Sequence, residues 1–393
     1  MGKVLAINSG SSSFKYKLFQ LPEENVVASG IADRIGIAGS SFEIKLANGD
    51  KHVTKVAIPD QETAVQLLLD DLKKYQVIQT LTEIVGIGHR IVAGGEVFKD
   101  SAIIDESNLK KIFDLTEYAP LHNPAEGKGI QAFMKLLPGV PQVGVFDTSF
   151  HQTLDPVHYM YSIPHEYYDK YGVRKYGAHG TSVRYVANHV AQMMHRNLAD
   201  LKLVVCHLGS GASITAVKDG KSFDTSMGFS PLAGITMGTR SGDIDASAVG
   251  FIMEKENLSM PEMIDVLNHK SGLLGISGIS SDMRDLENNP DKHTLLARQI
   301  FVNRIVRYVG AYITEMGGCD AVVFTAGIGE NDQGIRLTVM NALKFLGLEP
   351  DETANQTNGT KFISKPDSKI KALTVATDEE LMIARDVIRL AKL

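Results

Sequence analysis

Two stretches, beginning at Val4 and Leu203 and so about two hundred residues apart, follow one plan: "VLAINSGSSSFKYKLFQLPEENV" and "LVVCHLGSGASITAVKDGKSFDT". Each reads as an apolar strand, a turn of glycine and serine, a second strand and a polar turn. A repeat of this kind constrains the fold more than any other feature. The chain must build two similar units, each opening with a strand-turn-strand hairpin whose turn is made of small residues. Elsewhere short β-rich runs, at 4–7, 15–19, 84–87, 143–146, 203–207, 213–217 and 321–325, alternate with helical patterns. In "QETAVQLLLDDLKKY" the apolar residues Val65, Leu68, Leu69 and Leu72 recur at helical spacing, as do Val302, Ile305, Val306, Val309 and Ile313 further on. The alternation defines an α/β protein.

With 393 residues, 44% of them hydrophobic, the chain can bury a large core, and usual domain sizes suggest about two to three domains. The formal net charge of −6 leaves no basic stripe for a nucleic-acid backbone, so anion binding must be local. Cys206 and Cys319 lie outside any C-x-x-C pattern, which argues against a disulfide framework or structural zinc and suits a reducing cytoplasm. The apolar run at 4–7 is too short for a signal peptide, and no stretch reaches membrane-spanning length. The polar segment 349–369 reads as a surface excursion.

The small turns have a chemical reading. Glycine allows close backbone approach, and consecutive N–H groups form a concavity for anionic oxygens. Ser9, Gly10, Ser11, Ser12 and Ser13 would line such a cradle, with Lys15 adding charge. A third glycine-rich turn, in "AVVFTAGIGEND", follows a strand of the second half. Known phosphate motifs fail: "KDGKS" has Thr215 where a P-loop needs its first glycine, and reads as a hairpin turn. "GSGASI" and "GIGEND" end in Ile214 and Asp332 where a dinucleotide fingerprint needs glycine.

Charged residues at strand ends supply the chemistry, because ligands of open α/β sheets gather there. His89 and Arg90 follow one strand, Asp147 another; His179 precedes a helix and Arg240 sits in a glycine-rich loop. Singly, each arginine suits a surface ion pair, Asp147 a cap and His179 a half-buried core position. Together with Lys15 they are the parts of phosphoryl transfer. Near the C-terminus Thr377 and Glu380 fit a capping box, which leaves Glu379 for a magnesium contact with Asn8 and Asp147.

These stretches together resemble the acetate kinase family, in the superfamily of acetate and sugar kinases, heat-shock proteins and actin. The carriers, in order, are "INSGSSSFKY", "HRIVAGG", "HNP" at 122–124, "VFDTSFH", "YGAHGTS", "HLGSGASI", "MGTRSGD", "SDMRDL", "TAGIGEN" and "DEEL", spread over essentially the whole chain. The resemblance implies an actin-like ATPase fold of duplicated ribonuclease H-like βββαβαβα domains with a nucleotide cleft between them. The N-terminal domain would span 1–150 and be completed by a helix at 377–393. The C-terminal domain, 151–376, would carry most nucleotide contacts and the interface of a homodimer.

The reaction implied is reversible in-line transfer of the ATP γ-phosphoryl to acetate, giving acetyl phosphate and ADP, with Mg2+ or Mn2+ as cofactor. Carried onto this chain, Asn8 and Glu379 would hold the metal and Lys15 would lie near the nucleotide. Further nucleotide contacts would come from His207, Leu208, Gly209, Ser210 and Gly211, from Asp282, Met283 and Arg284, and from Gly327, Ile328, Gly329, Glu330 and Asn331. Arg90 would clamp the carboxylate, with Val92, Leu121 and Pro231 around its methyl group. His179 and Arg240 would stabilise the transferring phosphoryl, and Asp147 would be the family's catalytic acidic residue. A carboxylic acid of pKa roughly 4 to 5 is already ionised at neutral pH, so Asp147 is expected to act through magnesium and water rather than as a base. The rivals are a propionate or butyrate kinase, a sugar kinase, and a non-catalytic nucleotide-switched module; neither nucleic acid nor membrane is an expected partner.

Overall fold

The computed structural model describes residues 2–10, 12–119 and 122–393. It divides into two compact units: Met1–Phe150 with Asp378–Leu393, and His151–Thr377.

The first unit is built on an eight-stranded sheet. Its strands are β1 (Lys3–Ser9), β2 (Ser13–Gln20), β3 (Asn25–Asp33), β4 (Ser41–Leu46), β5 (Lys51–Lys55), β6 (Ile84–Ile91), β7 (Ala102–Ile103) and β8 (Gln142–Phe146). They lie in the order β5-β4-β3-β2-β1-β6-β8-β7. β1 to β5 form an antiparallel meander, while β1, β6 and β8 run parallel. The second unit carries β9 (Leu203–Leu208), β10 (Ala212–Lys218), β11 (Lys221–Thr225), β12 (Ala321–Thr325), β13 (Lys361–Phe362) and β14 (Lys371–Thr374), ordered β11-β10-β9-β12-β14-β13. Here β9, β12 and β14 are the parallel set. In both units a meander's first strand pairs in parallel with a later strand, which pairs in parallel with a third, so the sequence repeat is a repeat of topology. This is the duplicated actin-like arrangement.

Helical crossovers cover the sheets, as parallel connections require. Val65, Leu68, Leu69 and Leu72 of the helix Gln61–Lys74 are all buried, and Asp60 caps it by accepting the Thr63 N–H at 2.8 Å. The helix Lys292–Glu315 buries Ile305, Val309 and Ile313 as expected, but it also presents Phe301 and Tyr312, leaving Val302 and Val306 half-buried. The turn in "KDGKS" joins β10 to β11, with Asp219 and Gly220 at φ 54° and 74°.

Three local expectations change. The C-terminal helix, Glu379–Ala391, starts from Asp378, whose carboxylate accepts the Leu381 N–H at 3.1 Å; no Thr377–Glu380 box forms. Glu380 instead pairs with Lys17 at 3.2 Å. The turn after β12 is a short helix, Ala326–Asn331, rather than an open loop. Finally, segment 349–369 is partly core. Arg336, with no exposed surface, binds the side chain and carbonyl of Asn355 at 2.8 Å each, and β13 pairs with β14. A buried guanidinium needs several acceptors, and this polar segment supplies two of them.

The C-terminal helix packs on β1, β6 and β8 through Ile383 and Val387, each side chain contributing roughly 1.5–3 kcal/mol by burial. Gly86 and Gly88 of β6 permit this approach: a Cβ at either would fall 2.4 Å from Val387 or 2.3 Å from Ile383.

Candidate active site

In the first unit the parallel strands β1, β6 and β8 lie side by side, and each carries a polar residue next to its C-terminal end: Asn8, Arg90 and Asp147. Register puts Ile7 beside His89, so Asn8 and Arg90 share the next rung and the same face. His89 and Arg90 lie within β6 and so point to opposite faces. His89 is buried, donates from Nε2 to Gln142 Oε1 at 2.7 Å, and is held neutral, its pKa brought down to about 4 by burial. Arg90 faces the strand ends. Its Nε and Nη2 donate to Asp147, directly after β8, at 3.0 and 2.6 Å, and its Nη1 reaches Asn8 Oδ1 at 3.4 Å. Glu379, the first residue of the C-terminal helix, stands 3.8 Å from Arg90 Nε. Lys15 pairs across the hairpin with Asn8.

One residue of this group was not anticipated. Glu126, in the helix Asn123–Leu136, is buried, and its Oε2 accepts the Val92 N–H at 3.2 Å. Burial pushes its pKa up to about 8, Asp147 adding to the rise and Arg90 opposing it. Asn123, one turn earlier, holds the Ala93 N–H and carbonyl at 3.3 and 3.0 Å. The "HNP" motif thus clamps the chain leaving β6. Glu379 is likewise pushed up by burial and by Asp147, Glu380 and Asp378, against the pull of Arg90. Three acidic side chains around one arginine are an excess of negative charge. Around Arg90, the Asn8 side-chain carbonyl and the Asp147 and Glu379 carboxylates offer the hard oxygen donors that magnesium prefers.

In the second unit His179 caps the helix Gly180–Met193 from a left-handed conformation, φ 62°. Its Nδ1 is 2.9 Å from Ser213 Oγ, and its ring stacks on His207 at 4.1 Å. His207 occupies the next-to-last position of β9, as Asn8 does in β1. A Cβ on Gly211 would lie 3.5 Å from both His179 Nε2 and Arg240 Nη1, so the two side chains converge there. Arg240 donates to the Pro231 carbonyl at 3.2 Å and makes no ion pair among the described residues. Its half-buried charge is held below the usual guanidinium range by desolvation alone. An arginine desolvated without a carboxylate is prepared for an external anion.

The same turn borders a cavity of about 700 Å³. Gly209, Ser210, Asp282, Met283, Arg284, Gly327, Ile328 and Asn331 line it, together with Ser281, Glu287 and Asp332, which were not expected as contacts. His207, Leu208, Gly211, Gly329 and Glu330 do not. Leu208 is core, Gly329 packs back on Phe324, and Glu330 accepts the Ala326 and Thr377 N–H groups at 3.0 and 3.3 Å. Leu121 and Ser11 lie outside the described residues, and Val92 is half-buried at the exit of β6. His158, Asp224 and Glu315 also meet, their ligand atoms within 4.8 Å, but the Lys175 ammonium already sits on Asp224 at 2.5 Å, which makes this an ion-paired cluster.

A cavity of nucleotide size, bordered by the turn on which Arg240 and His179 converge, is the geometry a phosphotransferase needs. The sequence profile of the acetokinase family matches residues 3–385. Acetate kinase of Enterococcus faecalis is 54% identical over 394 residues, covering 99% of this chain and all of that protein. Among solved structures, acetate kinase of Porphyromonas gingivalis superposes with a TM-score of 0.96 at 42% identity, each chain covered completely. A propionate kinase of Francisella tularensis reaches 0.93 at 40% identity, over 99% of this chain and all of that one. The chain belongs to the acetokinase family. It is therefore a kinase whose phosphoryl acceptor is a carboxyl group.

Proposed function

We propose that this chain is an acetate kinase, transferring the ATP γ-phosphoryl reversibly and in line to acetate. The observation that carries this reading is Arg240: half-buried, without an ion-pair partner among the described residues, and convergent with His179 Nε2 at Gly211. Charge spread over three phosphoryl oxygens at mid-transfer is what such a pair stabilises. The adenosine and its phosphates would occupy the cavity beside the Gly209–Gly211 turn.

Arg90 binds the acetate carboxylate, which its fork geometry suits. Asp147 already accepts from Nε and Nη2 of that guanidinium. Its work is therefore to aim Arg90, and an ionised carboxylate nucleophile gives it no proton to remove. Val92, held by Glu126, lies next to the acceptor's methyl group. Magnesium would be held by Asn8 and Glu379, with Asp147 through water, and would supply charge neutralisation on the phosphate oxygens.

The cytoplasm is the proposed location; among the described residues no helix is long and apolar enough to cross a membrane. A homodimer through the second unit is supported by the helix Ala246–Glu256, which buries none of its residues and exposes Phe251 by 61%.

Propionate is the second reading, favoured by the likeness to a solved propionate kinase. One methylene is worth about 1–3 kcal/mol in an apolar pocket. Trapping of acyl phosphate with hydroxylamine, using Mg-ATP with acetate, propionate, butyrate or no acid, decides. Hydroxamate formed fastest with acetate is the expected result. ADP release with no hydroxamate from any acid would overturn the carboxylate kinase reading.

A further inference from the structure

His151 ends the "VFDTSFH" motif, yet nothing in the proposed reaction uses it. It has no exposed surface and sits in the turn Ser149–Thr153. Its Nε2 lies 2.9 Å from the Ala178 carbonyl, and its Nδ1 lies 2.8 Å from Ser222 Oγ. A carbonyl can only accept, so Nε2 carries the proton and Nδ1 accepts from the serine hydroxyl. Thr153 adds a bond from its hydroxyl to the Ser222 carbonyl at 2.8 Å. The serine of the misleading "GKS" therefore has a definite task, which is to set the tautomer of this imidazole.

Ala178 directly precedes His179, whose left-handed φ of 62° costs a residue other than glycine on the order of 1 kcal/mol. Something must hold the loop there. Gly177, at φ 76°, packs closely against the His151 ring, since a Cβ at that position would fall 2.8 Å from His151 Cδ2. The amides of Tyr176 and Gly177 are bound by the Gly228 carbonyl at 3.0 and 3.1 Å. The Ala178 carbonyl is bound by His151, and its peptide plane fixes where the His179 ring begins.

We infer that His151 is a positioning residue: through the Ala178 carbonyl it keeps His179 in its left-handed conformation, with Nε2 directed, as Arg240 Nη1 is, at Gly211. This rests on the proposed role of His179 and extends it to a buried residue that touches no substrate.

The test is a double-mutant cycle in the full-length protein, read as kcat, KM for each substrate and melting temperature. His151→Asn removes the donor to Ala178, whereas His151→Gln places an amide N–H where Nε2 was. The expected result is a kcat lowered about 10-fold or more by His151→Asn, with little change in KM for ATP and recovery in His151→Gln. In a His179→Ala background the same substitution should cost almost nothing further, because residues acting through one another are not additive. Additive losses, or a lowered melting temperature with unchanged kcat, would overturn the inference. Unchanged kcat in His179→Ala itself would overturn instead the role proposed for His179. Should His151→Asn fail to fold, Ser222→Ala frees the tautomer and reads the same cycle.

Discussion

Arg240 and Glu126 show how burial changes what one side chain can do. Arg240 is desolvated without a compensating carboxylate among the described residues, which suits the role proposed for it of stabilising charge that arrives during the reaction. Arg240→Ala should lower kcat about 10²- to 10³-fold while the KM for ATP changes only a few-fold, as for other donors directed at developing charge; equal losses in both would assign it to ground-state binding. Glu126 is the opposite case, a carboxyl raised to about 8 by burial beside Arg90 and Asp147. A carboxyl raised on folding binds its proton more tightly in the folded state, so its favourable contribution is complete at low pH. That contribution is lost as pH climbs from the unfolded value of about 4.3 through 8. Glu126→Gln keeps an oxygen for the Val92 N–H and removes the titration. The variant should gain on the parent protein between about pH 5 and 8, by up to a few kcal/mol, and then level off. Denaturant melts from pH 5 to 9 check this; a gap independent of pH would mean Glu126 stays ionised. Arg90, Asp147 and His179 were legible because each sits in a short motif at a strand or helix end. Glu126 was not, since a glutamate inside a helix has no mark of burial until the helix is docked.

At the level of elements, the strand ends and the C-terminal helix position the chemistry. Glu379 is aimed by a helix whose start is fixed twice, by the Asp378 cap and by Lys17, which pairs with Asp378 at 3.0 Å and Glu380 at 3.2 Å. Asp378→Ala should cost about 1 kcal/mol of stability, as loss of a side-chain cap does, whereas Glu380→Gln removes only a part-exposed ion pair and should cost a few tenths. Equal losses in urea unfolding would revive the Thr377–Glu380 box. The box looked right because its spacing was right. Asp378 won because its carboxylate reaches the Leu381 amide while also meeting Lys17 of the neighbouring strand, a partner 361 residues away in sequence. Segment 349–369 misled for a similar reason. Its polar composition reads as surface until Arg336, buried and in need of acceptors, is placed against Asn355.

For the whole molecule, duplication explains why equivalent strand ends carry different chemistry. The first unit gathers carboxylates and Arg90, and the second an arginine without an ion-pair partner among the described residues, two stacked histidines and a cavity. The proposed dimerisation belongs to this scale as well. Ile244, Phe251, Met260 and Ile264 are 44, 61, 56 and 42% exposed around a helix that buries nothing. Phe251→Glu should convert a dimer into a monomer, measured by light scattering after size exclusion, with the single-chain fold intact by circular dichroism. An unchanged mass would place the interface elsewhere.

The amino-acid sequence by itself determined the repeated strand-turn-strand units, the α/β class and most of the polar residues at the parallel strand ends. These follow from alternation, small-residue turns and short contiguous motifs, which are local. Only the tertiary structure decided that Glu126 is buried beside Arg90, that Arg240 lacks an ion-pair partner among the described residues, that Arg336 draws segment 349–369 inward, and that His151 bears on the residue before His179. Each of these depends on which distant segments meet and on how much water they exclude, and neither quantity is written in any single stretch of the chain.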